Sequence, residues 1–294
     1  MTAREAYRQF LLQLQDIYPL GEATAITDLV FESVCATRKA DLIKDPQKTI
    51  TARLLAELEE AKKALLQHQP VQYVLGEAWF YHLKLKVNEY VLIPRPETEE
   101  LVATILEDLQ KVYQLRNGQA PRNSGLLNIL DIGTGSGCIS IALKKNWAAA
   151  RLTAIDASAG ALALAAANAR QHHCSIDFQQ IDFLEEAAWE KLPAFDMIVS
   201  NPPYIPIEEK SSLDKHVADW EPHLALFVPG NDPLLFYRKI AAFGRTHLAP
   251  GGRICLEMHA PLAAATAALF ETGYSRVQIK KDMFGLERML LVSY

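Results

Sequence analysis

The 294-residue chain reads as an α/β protein with a small helical domain in front, and three observations predict this. From Leu126 onward, apolar runs of strand length alternate with helical stretches, the pattern of a mainly parallel sheet with crossover helices on both faces. A glycine turn, Asp131-Ile132-Gly133-Thr134-Gly135-Ser136-Gly137, joins the first of these strands to a helix, where a doubly wound fold holds its ligand. The opening residues, by contrast, carry only the three-and-four spacing of helices.

Taken in order, Tyr7, Phe10, Leu11, Leu14 and Ile17 mark a first helix, and Ile26, Leu29, Val30, Phe31 and Val34 a second. Leu54, Leu55, Leu58, Ala61 and Leu65 line a third, with a Glu/Lys face opposite. Residues 1–74 are therefore expected to form an all-helical domain. Between Gly76 and Leu92 the period turns to two, with Leu83, Leu85 and Val87 alternating with Lys84 and Lys86, so 75–93 are expected to be a β-hairpin linker. In Ile93–Val102, IPRPETEELV, Pro94 and Pro96 stop the strand and Thr98 is placed to cap a helix through Ile105 and Leu109. Arg116 to Gly125 is polar and reads as a surface loop. Within the domain expected over 94–294, the strands are LLNILDIG, RLTAID, SIDFQQID, FDMIVS, GGRICLEM and ERMLLVSY, with a late helix from Pro261.

Half of the residues are hydrophobic, ample for a large core, and the formal net charge is −5. An acidic total argues against a protein that holds nucleic acid by its overall field. Cys35, Cys138, Cys174 and Cys255 lie far apart with no C-x-x-C pair, and no secretory signal opens the chain, so reduced thiols in a cytoplasm are expected. Apolar runs such as Ala159 to Ala167 are too short to span a membrane. His172 and His173, and His216 and His223, lack metal-ligand spacing with a carboxylate or cysteine, and no metal is expected.

The glycine spacing is G-x-G-x-G, and Cys138 stands where a dinucleotide fingerprint needs glycine or alanine. That departure favours a ligand without a pyrophosphate. Nineteen residues after Gly137, Asp156 ends RLTAID, where an acidic side chain accepts hydrogen bonds from ribose hydroxyls. Asp182 and Phe183 end the third strand, suited to the exocyclic amine and the face of an adenine. Three successive strand ends with such groups point to a nucleoside ligand. Asp131 either orients the turn or meets an amino group of the ligand.

The fourth strand runs into Asn201-Pro202-Pro203-Tyr204. Proline has no N–H to donate, so a double proline ends the sheet ladder and leaves rigid carbonyls. An amide nitrogen is a poor nucleophile because its lone pair is delocalised. The Asn201 side-chain oxygen and the Pro202 carbonyl can each accept one N–H of such a nitrogen, favouring the charge that develops as a methyl arrives, while Tyr204 covers its plane. A methyl sulfonium supplies the methyl without a metal or a covalent enzyme intermediate.

On these residues the chain resembles the protein-(glutamine-N5) methyltransferases of the HemK/PrmC family, which modify the Gly-Gly-Gln glutamine of peptide chain release factors. The resemblance covers PVQYVLGEAWFYHLKLKVNEYVLIPRPETEELV at 70–102, LDIGTGSGCISIAL at 130–143, IVSNPPYIP at 198–206 and KDMFGLERML at 281–290. It implies a class I S-adenosylmethionine-dependent methyltransferase, with a Rossmann-like, mainly parallel seven-stranded sheet, and a helical domain that recognises the substrate. It also implies cofactor binding by Gly133, Thr134, Gly135, Ser136, Gly137, Asp156, Asp182, Phe183 and Asn201. Asn201, Pro202, Pro203 and Tyr204 are implied to hold the glutamine, with Asn201, Pro202 and Tyr204 carrying the chemistry. S-adenosylhomocysteine is the implied product and a release factor the partner, with neither nucleic acid nor membrane. NPPY alone also occurs in nucleic-acid methyltransferases, so a ribosomal-protein glutamine or an exocyclic amine of nucleic acid is the alternative substrate. PRPETE, Pro94 to Glu99, is either near the active site by resemblance or a linker into a helix. The family's E-x-G-x-x-Q pattern is replaced here by Glu257-Met258-His259-Ala260-Pro261-Leu262.

Overall fold

The computed structural model describes residues 1–117 and 127–294, so the loop expected at 116–125 lies, from 118 on, outside the described residues. Two compact units result, Met1–Glu77 with Asp214–Trp220, and Ala78–Leu213 with Glu221–Tyr294.

The first unit is helical, with Ala3–Leu14, Leu20–Cys35, Lys39–Lys44, Ala52–Leu66 and Val71–Leu75. Thr2 and Glu5 form a capping box at the first helix, which ends before Ile17. Tyr7, Phe10, Leu14, Val30, Phe31 and Leu65 meet in a core of their own. Each such side chain contributes roughly 1.5–3 kcal/mol by leaving water. The two shortest helices are absent from the sequence reading because five or six residues are too few for periodicity to show. Asp214–Trp220, remote in sequence, folds with this unit, and Trp220 Nε1 donates to the Gln67 carbonyl at 3.2 Å.

The hairpin pairs β1 (Glu77–Phe80) with β2 (Leu83–Lys86). The main sheet has seven strands: β3 (Asn128–Ile132), β4 (Arg151–Asp156), β5 (Asp177–Gln180), β6 (Phe195–Ser200), β7 (Leu248–Glu257), β8 (Arg276–Lys281) and β9 (Glu287–Ser293). Their order is β5-β4-β3-β6-β7-β9-β8, parallel from β5 to β7 and antiparallel at β9 and β8. Successive residues of a strand point to opposite faces. Leu130, Ile132 and Ile198 accordingly enter one core with Phe243 and Leu256, while Ile129, Met197 and Val199 enter the other with Leu101, Ile105 and Ile141. β8 escaped the sequence reading because only Val277 and Ile279 interrupt its charged and polar residues. The late helix starts as a 3-10 turn, Ala260–Leu262, before Ala263–Ala268.

Candidate active site

The five parallel strands end side by side. Gln180 is opposite Asp156, Ile155 opposite Ile132, Ile132 opposite Ser200, and Ser200 opposite Leu256. Asp182, Asp156, Gly133, Asn201 and Glu257 therefore stand in a row along one sheet edge. Neighbouring strands are about 4.8 Å apart, so Asp156 and Asn201, two strands apart, are separated by roughly 10 Å along it.

Within the turn after β3, Gly135 and Gly137 have φ of 54° and 80°, left-handed values that L side chains rarely adopt. The space beside Gly135 is open, whereas a Cβ on Gly137 would meet Ile141 Cδ1 at 3.1 Å and Ala165 Cβ at 3.2 Å. One glycine leaves room for a ligand and the other lets two helices close. The amides of Gly133 and Thr134 donate to the Ile155 carbonyl at 2.9 and 3.0 Å, and Asn168 donates to the Ser136 carbonyl at 2.9 Å.

Asp131 is fully buried beneath the turn. Its Oδ2 accepts from the Thr134 hydroxyl at 2.8 Å and the Ser140 hydroxyl at 2.7 Å, whereas Oδ1 has no partner among the described residues. Burial pushes its pKa up to about 6, against the opposing pull of the two hydroxyls. Asp156 accepts from Gly135 N at 2.9 Å and Ser158 N at 2.9 Å, so it also fixes the turn, and burial raises its pKa.

Two expectations change at the third strand end. β5 stops at Gln180, leaving exposed Asp182 in the following turn, where it accepts from Leu184 N at 3.0 Å. Phe183 was expected to present an open face for stacking. Instead its ring is buried at 4% exposure, stacked on Trp189 at 5.3 Å and edge-on to Phe243 at 5.4 Å. An aromatic packed between two other aromatic rings gains more from leaving water than from waiting at the surface.

At the end of β6 the Ser200 hydroxyl donates to the Ile132 carbonyl at 2.7 Å, joining the asparagine loop to the glycine turn. Asn201 Nδ2 donates to Thr98 Oγ1 at 3.1 Å, and Thr98 Oγ1 donates to Glu257 Oε2 at 2.6 Å. The Tyr204 hydroxyl donates to Glu257 Oε1 at 3.3 Å, and its ring stacks on His259 at 5.6 Å. Beyond the prolines, Ile205 N donates to the Leu226 carbonyl and Val228 N to the Ile205 carbonyl, closing the loop. Burial pushes the Glu257 carboxyl up to about 7 and the Tyr204 hydroxyl well above its ordinary value.

Thr98 is thus no helix cap. The helix Pro96–Asn117 begins at Pro96, whose missing N–H costs nothing at a first turn, and the Thr98 side chain is turned into the site. Glu221, of the Trp220-Glu221-Pro222 stretch, holds the preceding segment, accepting from Ile93 N at 3.1 Å and pairing with Arg95 at 2.5 Å. PRPETE is therefore part of this site. Of the expected residues, the turn, Asp131, Asp156 and the NPPY group converge. Thr98, Glu221 and Glu257 join them, and their sequence signals were PRPETE for Thr98, a Glu-Pro after Trp220 that reads equally as a plain turn for Glu221, and an acidic residue at a strand end for Glu257.

Two family models match the chain, PrmC N-terminal domain over residues 5–76 and Methyltransferase small domain over 120–219. A release factor glutamine methyltransferase of Flavobacterium psychrophilum is 39% identical over 295 residues, spanning 100% of both chains. The proteins of that name from Bacteroides thetaiotaomicron and Lactococcus lactis are 38% and 39% identical, over 94% and 98% of this chain and 95% and 98% of their own. The chain belongs to the release factor glutamine methyltransferase family. In fold it is also similar to the catalytic domain of hMettl16, with a TM-score of 0.51 at 13% identity over 83% of this chain and 82% of that one.

Proposed function

We propose that this chain transfers the methyl group of S-adenosylmethionine to the side-chain amide nitrogen, N5, of the glutamine in the Gly-Gly-Gln motif of class 1 peptide chain release factors. The observation that carries the reading is one sheet edge on which the Asp131 turn and the Asn201-Pro202-Pro203-Tyr204 loop are joined through Ser200 and Ile132. The names of the full-length relatives support the same substrate over a ribosomal-protein glutamine or a nucleic-acid amine.

The residues fit the cofactor. Asp131 Oδ1, buried and without a partner among the described residues, suits the cofactor's ammonium, and the open side of Gly135 admits its close approach. Gly133, Thr134, Gly135, Ser136 and Gly137 form the cradle, Asp156 takes the ribose hydroxyls, and Asp182 takes the adenine amine. Phe183, its ring packed on Trp189 and Phe243, supports that turn from within the core. Asn201 borders both ligands. Bound S-adenosylmethionine supplies an electrophilic methyl on sulfur and departs as S-adenosylhomocysteine.

Asn201 Oδ1 and the Pro202 carbonyl accept the two N–H groups of the glutamine amide. Both acceptors favour positive charge on nitrogen, which grows as the N–C bond forms and the C–S bond breaks. The nitrogen then gives one proton to water. Pro202 and Pro203 hold the carbonyl rigid, and Tyr204 covers the amide plane. Orientation of donor and acceptor supplies much of the acceleration, and well-aligned reactants gain on the order of several kcal/mol. Residues 1–74 recognise the folded release factor, 75–93 link, and 94–294 catalyse, in a cytoplasmic protein that needs no metal and binds neither nucleic acid nor membrane. Incubating the protein with methyl-labelled S-adenosylmethionine and a cell extract tests the reading. The label is expected on a release factor, and label confined to a ribosomal protein or RNA would overturn it.

A further inference from the structure

Glu257 is a buried carboxyl, at 1% exposure, beside the reaction site, and the mechanism above does not use it. Both its oxygens accept hydroxyl protons, Oε2 from Thr98 and Oε1 from Tyr204. A hydroxyl has one proton to give. Once Thr98 has given its proton to Glu257, Thr98 Oγ1 faces Asn201 as an acceptor only. Asn201 must then present its NH2 group to Thr98, as it does at 3.1 Å, which leaves Oδ1 as the end of the amide able to accept from a substrate.

We infer that Glu257 and Thr98 are positioning residues, a proton-polarity relay that keeps the Asn201 amide oxygen, rather than its NH2, facing the glutamine nitrogen. The inference rests on the methyl-transfer reading. Protonation of Glu257 at Oε2 reverses every bond in the series. The carboxyl donates to Thr98, Thr98 donates to Asn201, and the amide turns its NH2 toward a substrate nitrogen that also carries only donors. Ground-state binding through Pro202 survives, but the acceptor that stabilises developing charge is lost. Tyr204 loses its carboxylate partner at the same time.

The groups that set this proton come from every side. Arg288 on β9 favours the carboxylate, as do the hydroxyls of Thr98 and Tyr204, while Glu97 in the first turn of the Pro96–Asn117 helix opposes it. Tyr237, whose hydroxyl donates to the Glu257 carbonyl at 3.2 Å, and Cys138 in the glycine-turn helix are neutral neighbours that feel the same charge. Burial dominates and holds the carboxyl near pKa 7, within the range where the relay switches.

The test is kcat against pH at saturating cofactor and release factor, where binding of either ligand no longer matters. Wild-type kcat is expected to fall about tenfold per pH unit below the pKa of Glu257 in the complex. Glu257→Gln cannot titrate, and its acid limb is expected to vanish whatever its plateau. Thr98→Val removes the relaying hydroxyl, and kcat is expected to fall on the order of 100-fold, the scale of a misplaced reacting group, with cofactor affinity within a few-fold. Thr98→Ser restores most of it. An acid limb that persists unchanged in Glu257→Gln, or a Thr98→Val enzyme with kcat within a few-fold of wild type, overturns the relay. Should Thr98→Val not fold, the Glu257→Gln profile alone decides. Absence of methyl transfer by the wild-type protein would instead overturn the functional reading.

Discussion

Replacing Asp131 by asparagine changes one oxygen to NH2 at a fully buried site and separates the turn's need for an acceptor from the ligand's need for a charge. Burial lifts this carboxyl from 3.8 to about 6, and two pKa units correspond to about 3 kcal/mol. The sign follows from linkage. A carboxyl whose folded pKa is raised binds its proton more tightly in the folded state, so its ionised form lowers stability above pH 6, and that loss is recovered as pH falls through 6 toward 3.8. Asp131→Asn removes the buried charge but weakens two hydroxyl hydrogen bonds by about 1 kcal/mol each. The ligand-free variant is therefore expected to be about 1 kcal/mol more stable than wild type at pH 7.5, an advantage that vanishes about one unit below pH 6 and reverses by pH 4. Cofactor binding should move the other way. A hydrogen bond to a charged group is worth about 1.5–3 kcal/mol, which corresponds to a roughly 10- to 150-fold rise in Kd for S-adenosylmethionine. Wild-type Kd should also rise about tenfold per unit below pH 6, whereas the variant's stays flat. Titration calorimetry and thermal denaturation across pH 5–8 measure both. Unchanged cofactor affinity together with lower stability at pH 7.5 would refute the ammonium assignment and leave Asp131 a structural residue of the turn.

Asp156→Ala is expected to weaken S-adenosylmethionine binding by roughly 1–3 kcal/mol, the usual loss when groups in a site go unpaired, and calorimetry on the folded variant checks it. Asn201→Ala should lower kcat by about two to three orders of magnitude while the cofactor Kd shifts only a few-fold, and turnover surviving within a few-fold would reduce the NPPY loop to a turn. A chain beginning at Leu75 keeps every residue assigned to cofactor or glutamine. It should bind S-adenosylmethionine nearly normally and act on a short Gly-Gly-Gln peptide, yet lose most of its kcat/KM on the intact release factor, because remote contacts position the reacting group. Equal losses on peptide and protein would assign the helices to stability instead.

Strands β3 and β6 and the Ile254–Leu256 end of β7 were legible because burial on both faces writes them as apolar runs, and β4 because it falls between two helical stretches. The glycine turn was legible because few other sequences tolerate its backbone. β8 was not, since an edge strand carries little apolar signal, and Arg276, Lys280 and Lys281 read as solvent-facing in any conformation. At the site, Asn201 and its prolines announced themselves by being chemically odd at a strand end. Thr98 and Glu257 did not, since a threonine near a helix start is most simply a cap and a glutamate at a strand end carries no local sign of what it pairs with. Their meaning lies in the Thr98–Glu257 hydrogen bond, made across 159 positions of sequence, which no local pattern records. Phe183 failed in the opposite direction, because a large ring after a strand reads alike whether it faces a ligand or the Trp189 and Phe243 rings that in fact cover it.

Mass spectrometry of a purified release factor incubated with the protein and S-adenosylmethionine tests the central claim most directly. One methyl group, placed by fragmentation on the side-chain nitrogen of the Gly-Gly-Gln glutamine and absent with Asn201→Ala, is the result expected. An unmodified glutamine beside a methylated ribosomal protein or RNA in the same reaction would contradict it.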